Sequence, residues 1–277
     1  MQGTMRNELI RSMKRPWYWV SVFLVLYQFF YYMNQHGDLW RISDWWQKGY
    51  GFYYFASVYD FGILHLVIPF SAVLPYSFTT AEDFNTKLIR FELYRKRKCE
   101  FAFKKTAAAF FVPFSAVMLG CLLFLMYDVI IFGNWYQLDL TGEMALHQWQ
   151  EYAVGRSYEW FTTTWHGIPY LFELSFRTAA TAGLWGLLGA CVSTLWKRPV
   201  VTMIAVITLY FGLEYYFHYL IVVRQFESLE GWRPFTLFHT TILEQWPIWW
   251  RYAKNAAIIG GLGLLHMGLL RLQAEKI

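Results

Sequence analysis

Long apolar runs govern what this chain can fold into. Six stretches, Trp17 to about Met33, Tyr50–Tyr76, Thr106–Phe132, Pro169–Leu195, Pro199–Val222 and Trp249–Leu270, are rich in Leu, Val, Ile and aromatic residues and poor in charge. Each approaches or exceeds the roughly 20 residues that a helix needs to cross bilayer hydrocarbon. Only 16% of the residues are charged, where a soluble domain carries about 25%. A spanning segment must satisfy its own backbone hydrogen bonds, which selects the helix. The expected fold is therefore all-α: a polytopic membrane bundle of about six transmembrane helices, with residues 1–277 forming one domain.

The beginning of the chain, Arg11 to Phe30, superficially resembles a signal peptide, with a basic front and an apolar middle. Tyr31 to His36 offer no small-x-small cleavage site, so this reads as a retained first span. Ahead of it, Met5, Leu9, Ile10 and Met13 fall on one helical face, with Arg6, Arg11, Lys14 and Arg15 on or near the other. Residues 5–15 thus read as an amphipathic helix lying at the membrane surface, or as an ordinary basic flank. Pro16 separates it from the span.

The distribution of charge gives an orientation. The N-terminus, the segment 80–105, the Lys197-Arg198 turn and the C-terminal tail hold about 16 of the 24 basic residues. The opposite loops, including residues 133–167 and 223–247, hold about seven, with comparable or greater acidic charge. Both termini are expected to be cytoplasmic, in the plasma membrane of the cell. Because the cations collect at the ends of apolar runs, the net charge of +5 does not indicate nucleic acid as a partner. The three cysteines include no Cys-x-x-Cys pair and imply neither a disulfide framework nor a structural zinc. Ala182, Gly186 and Ala190 form a row of small residues that lets another helix approach, as Gly260, Gly261 and Gly263 could. No internal repeat is evident.

Residues 80–105 are the most charged stretch. Thr80 can cap a helix whose first turn holds Glu82 and Asp83. Phe84, Leu88, Phe91 and Arg95 would share one face, with Lys87 beside them and the basic cluster Arg95 to Lys98 following. The spacing fits a short helix across the cytoplasmic end of the bundle, and equally a solvated loop that only sets topology.

These residues resemble the permease subunits of ABC-2-type transporters, in which an acidic residue after span two opens a short helix, a basic turn follows, and a lysine opens span three. The corresponding residues here are Glu82 or Asp83, then Arg95 to Lys98, then Lys104 or Lys105. The layout is similar over most of the chain, although Asn85 stands near the place of a usual glycine. The resemblance implies that Glu82, Asp83, Phe84, Lys87, Leu88, Phe91 and Arg95 form a coupling helix in a groove of a separate ABC ATPase. It further implies a second permease copy or paralogue, ATP and Mg bound on the partner ATPase, and a chain that re-enters the membrane within residues 223–247. This chain has neither a Gly-x-x-x-x-Gly-Lys-Ser/Thr loop nor a Gly-x-Gly-x-x-Gly turn, so no cofactor and no catalytic residue is expected in it.

Ionisable residues inside spans are functional suspects because hydrocarbon disfavours them. They are Asp60, His65, Asp128, Glu173, Arg177, Glu214, His218 and His266. Glu173 with Arg177, and Glu214 with His218, are four apart and can face one another on a helix. They read as structural ion pairs or interfacial residues, or as the polar mouth of a pathway. Glu214 and His218 lack the first histidine of a His-Glu-x-x-His site, so no metal is expected. The expectation is an exporter of a hydrophobic or amphipathic substrate such as a peptide, lipid or drug. The alternatives are an ion-gradient-driven secondary carrier, or a non-transporting assembly or sensor subunit.

Overall fold

The computed structural model describes residues 5–36, 64–86, 98–131, 168–226 and 248–275. Among them are seven helices and no strand: α1 (Met5–Met13), α2 (Pro16–His36), α3 (Leu64–Asn85), α4 (Lys98–Ile131), α5 (Ile168–Trp196), α6 (Pro199–Val222) and α7 (Ile248–Glu275). Four of them, α4 to α7, are long and apolar enough to cross a membrane. The chain has the make-up of a helical membrane protein. The earlier halves of the second stretch and most of the loops 133–167 and 223–247 lie outside the described residues, as does Asp60.

Helix α5 is the axis of the bundle and touches α3, α4, α6 and α7. Its apolar stretch is 83% buried, against 17% for α6 and α7, whose outward faces carry Val200, Ile204, Tyr215, Leu264 and Leu265 exposed. Small residues let α5 sit this deeply. Ala182 and Ala190 are fully buried, and a Cβ on Gly186 would lie 2.3 Å from Pro113 Cγ of α4 and 3.0 Å from the Ala72 carbonyl of α3. The small-residue row therefore packs two neighbours at once. The α7 glycines behave differently: Gly260 and Gly261 face open space, and only Gly263 comes within 3.6 Å of Thr106.

Several buried hydroxyls inside the bundle donate to helix carbonyls. Ser175, Thr178, Thr181 and Thr194 of α5 each donate to the carbonyl four residues back. Pro75 within α3 has no N–H to offer the Ser71 carbonyl, and Ser21 of α2 donates to that oxygen instead, at 2.7 Å. The Ser193 hydroxyl likewise donates to the Ser77 carbonyl, tying α5 to α3 at 3.0 Å. The largest core cluster includes Phe29, Phe124, Leu171, Trp185 and Tyr210, with Phe29 stacked on Phe124 at 4.3 Å.

One expectation is overturned at the end of α3. Thr80 does not begin a new helix, because α3 runs unbroken from the second apolar stretch through Asn85. The buried Thr80 hydroxyl donates back to the Tyr76 carbonyl, as a mid-helix threonine does, and so is not free to cap. Glu82 and Asp83 consequently occupy the last turn rather than the first. Thr86 closes that turn, its N–H and hydroxyl both donating to the Glu82 carbonyl at 2.8 Å.

Candidate functional site

Two carboxylates in the last turn of a helix lie at the negative end of its dipole, which disfavours them. In this protein three cations gather there. Asp83 Oδ2 accepts from Arg11 Nη2 at 2.6 Å and from Lys105 Nζ at 2.7 Å. The same two cations reach Glu8 Oε1, Arg11 at 2.8 Å and Lys105 at 2.7 Å, and the Tyr76 hydroxyl donates to that oxygen at 3.2 Å. Arg15 pairs with Glu82 at the rim. Two acids and two cations thus form a closed square, with α1 supplying Glu8 and Arg11, α3 Asp83, and α4 Lys105.

The square is mostly removed from water. The Asp83 and Lys105 side chains are 3% and 5% exposed, and Glu8 is 13% exposed. Burial alone would raise the pKa of Glu8, but Lys105 and Arg11 outweigh it and hold the carboxyl below its ordinary value. Arg11 also loses hydration, and its bonds to Asp83 and Glu8 more than compensate, pushing its pKa above the ordinary value. Such a network is balanced as a whole, but removing one member leaves an uncompensated buried charge.

The remaining residues of the turn reach other elements. Phe84 packs against the cluster of Phe101, Ala102 and Leu270 from α4 and α7, and Lys197 Nζ lies 5.3 Å above its ring. The Asn85 side chain donates to the Lys197 carbonyl at 3.2 Å. Lys197 adopts the left-handed conformation, with φ 55°, that reverses the chain between α5 and Pro199 of α6. Four consecutive residues, Glu82 to Asn85, are therefore held by α1, by α4 and α7, and by the α5–α6 turn. Close by, buried His266 of α7 stands between the hydroxyls of Thr106 and Thr194, at 2.9 and 3.4 Å, joining α4 and α5.

At the opposite end of the bundle, Glu173 and Arg177 of α5 form an ion pair, and the Tyr252 hydroxyl of α7 donates to Glu173 at 2.5 Å. Glu214 and His218 lie on α6, half-buried and exposed respectively. The side chains of Asp128 and His65 lie outside the described residues, as do Lys87, Leu88, Phe91 and Arg95. The described residues contain no group of three His, Cys, Asp or Glu able to hold a metal.

Sequence reasoning placed Glu82, Asp83 and Lys105 in this region but did not find Glu8, Tyr76 or the Asn85–Lys197 contact. Two signals were present. Glu8 is the only acid before Asp38, and Tyr76 precedes Asp83 by seven residues, two turns up the same face. The Asn85–Lys197 contact spans 112 residues and has no local signature. No family model, curated protein or solved structure matches the chain.

Proposed function

We propose that this chain is the membrane-spanning permease subunit of an ABC exporter, which moves a hydrophobic or amphipathic substrate with ATP hydrolysed on a separate ATPase. In this reading six helices span the membrane, both termini are cytoplasmic, and α1 lies at the membrane surface. Within the coupling segment 80–105, residues 87–97 are the attachment point of the ATPase, and the working unit contains two permease copies or a copy and a paralogue. ATP and Mg belong to the partner.

The observation that carries the reading is the distribution of contacts along the last turn of α3. A permease must convert a push on a cytoplasmic segment into movement of its spans. The segment 87–97 leaves directly from a turn whose four residues are tied to α1, α4, α7 and the α5–α6 link. Displacement there would act on each of these elements through buried ion pairs and packed rings. A loop that served only to fix topology would need none of these ties.

The test is affinity purification of the tagged protein from its native host in mild detergent. A separate ATPase should copurify with the wild type and be lost from Leu88→Glu/Phe91→Glu. Phe84 is left unchanged, because its packing against Phe101 and Leu270 would confound folding with binding. Absence of any ATPase, or equal recovery with the variant, would refute the assignment. Complete absence would favour an ion-gradient carrier built on the intramembrane acids and histidines, such as Asp60, Glu214 and His218.

A further inference from the structure

The charges of α1 are divided between two faces in a way its sequence does not reveal. Glu8, Arg11 and Arg15 turn toward α3 and α4, where they are paired. Arg6, Ile10 and Lys14 are exposed and follow one another in steps of four residues. The Lys14 N–H bonds to the Ile10 carbonyl at 3.1 Å, so the helical path carries Lys14 onto the same stripe. With its one acid turned inward, the outer face of α1 bears cations only, separated by an apolar side chain.

This stripe runs into an apolar surface. Trp17 and Trp19, at the start of α2, are 38% and 46% exposed, and Val20, Phe23, Tyr27 and Phe30 continue outward along that helix. Cationic heads on apolar stems, an aliphatic residue between them and indoles alongside suit the depth at which phosphates meet acyl chains. A soluble acidic protein would match the charges but not the apolar surface that continues from them.

We propose that the outer face of α1, through Arg6 and Lys14, binds the headgroups of anionic phospholipids. Ile10, Trp17 and Trp19 seat in the adjoining acyl boundary. The inner face of the same helix holds Asp83 and Lys105, so the charge of the surrounding lipid acts on the α3–α4 junction through α1. This inference rests on the proposed placement of α1 at the membrane surface, but not on an ATPase partner.

Hydrogen exchange of residues 5–15 tests it, with the full-length protein in nanodiscs of phosphatidylcholine alone or with admixed phosphatidylglycerol. Exchange in α1 should be about 30-fold slower with the anionic lipid, as two cations near a charged surface would give. The difference should vanish in Arg6→Gln/Lys14→Gln, with α5 equally protected in both proteins as the measure of folding. Equal exchange in the two lipids would overturn the proposal. So would a lipid effect that survives the double substitution, or the same slowing by inorganic phosphate in phosphatidylcholine alone.

Discussion

Lys105 and Arg11 each bridge the same two carboxylates, so the charge square at residues 8, 11, 83 and 105 stands or falls as a unit. Its pH dependence follows from Glu8. The carboxyl is held below its ordinary value in the folded protein, so it binds a proton less readily there than in the unfolded chain. Its stabilising contribution is complete above the unfolded value and is lost as pH falls through the folded one. The thermal stability of wild-type protein and Glu8→Gln in detergent should therefore differ most near neutral pH. The two should converge as pH falls below the ordinary carboxylate value of 4.5. A gap that stays constant down to acid pH would mean that Glu8 acts by packing and not by charge. Tyr76 contributes to the same site from two turns above Asp83, and Lys105 brings in α4, so the network joins three helices and is not a surface pair.

Helix α5 fits between α3 and α4 because it lacks side chains where they press upon it. Alanine at Gly186 would force its methyl to within 2.3 Å of a proline ring fixed inside α4, and neither helix can yield cheaply. Overpacking of this kind costs about 1–3 kcal/mol. Gly261→Ala meets nothing and should stabilise α7 by up to about 1 kcal/mol through helix propensity. Denaturation of the two variants in the same detergent should separate them in opposite directions from wild type. Much at this scale was legible in the sequence. The apolar runs located α5, α6 and α7 to within a few residues, because a membrane span is marked by length and composition alone. The helices α3 and α4 both run past the apolar stretches, and only the helix start at Thr80 is contradicted. Threonine followed by two acids has the composition of a helix start, but the apolar face of α3 and distant cations stabilise those acids at a helix end. Helix α4 likewise begins at Lys98, eight residues before the apolar run, where Glu100 and Lys104 pair one turn apart. Local pattern could not show this, since the partners of Asp83 and Asn85 are remote in sequence.

In the molecule as a whole, two kinds of surface meet at the end of the bundle where α1 lies. One is apolar and runs up α2, α6 and α7, where Phe23, Ile204 and Leu264 are exposed as lipid-facing residues would be. The other is a largely buried charged junction that joins α1 to the ends of α3 and α4, with Asn85 tying the α5–α6 link to the same end of α3. A push delivered between α3 and α4 would cross this junction before reaching α5, the most deeply buried span. On the proposed function, a separate ATPase delivers that push to residues 87–97. A photo-crosslinking amino acid in place of Phe91, in cells of the native host, tests this most directly, with exposed Phe103 replaced as the control. Mass spectrometry of the adducts should identify a nucleotide-binding ATPase attached at position 91 and absent at position 103. Adducts at position 91 only with lipid or with this chain itself, or the same ATPase captured from both positions, would contradict it.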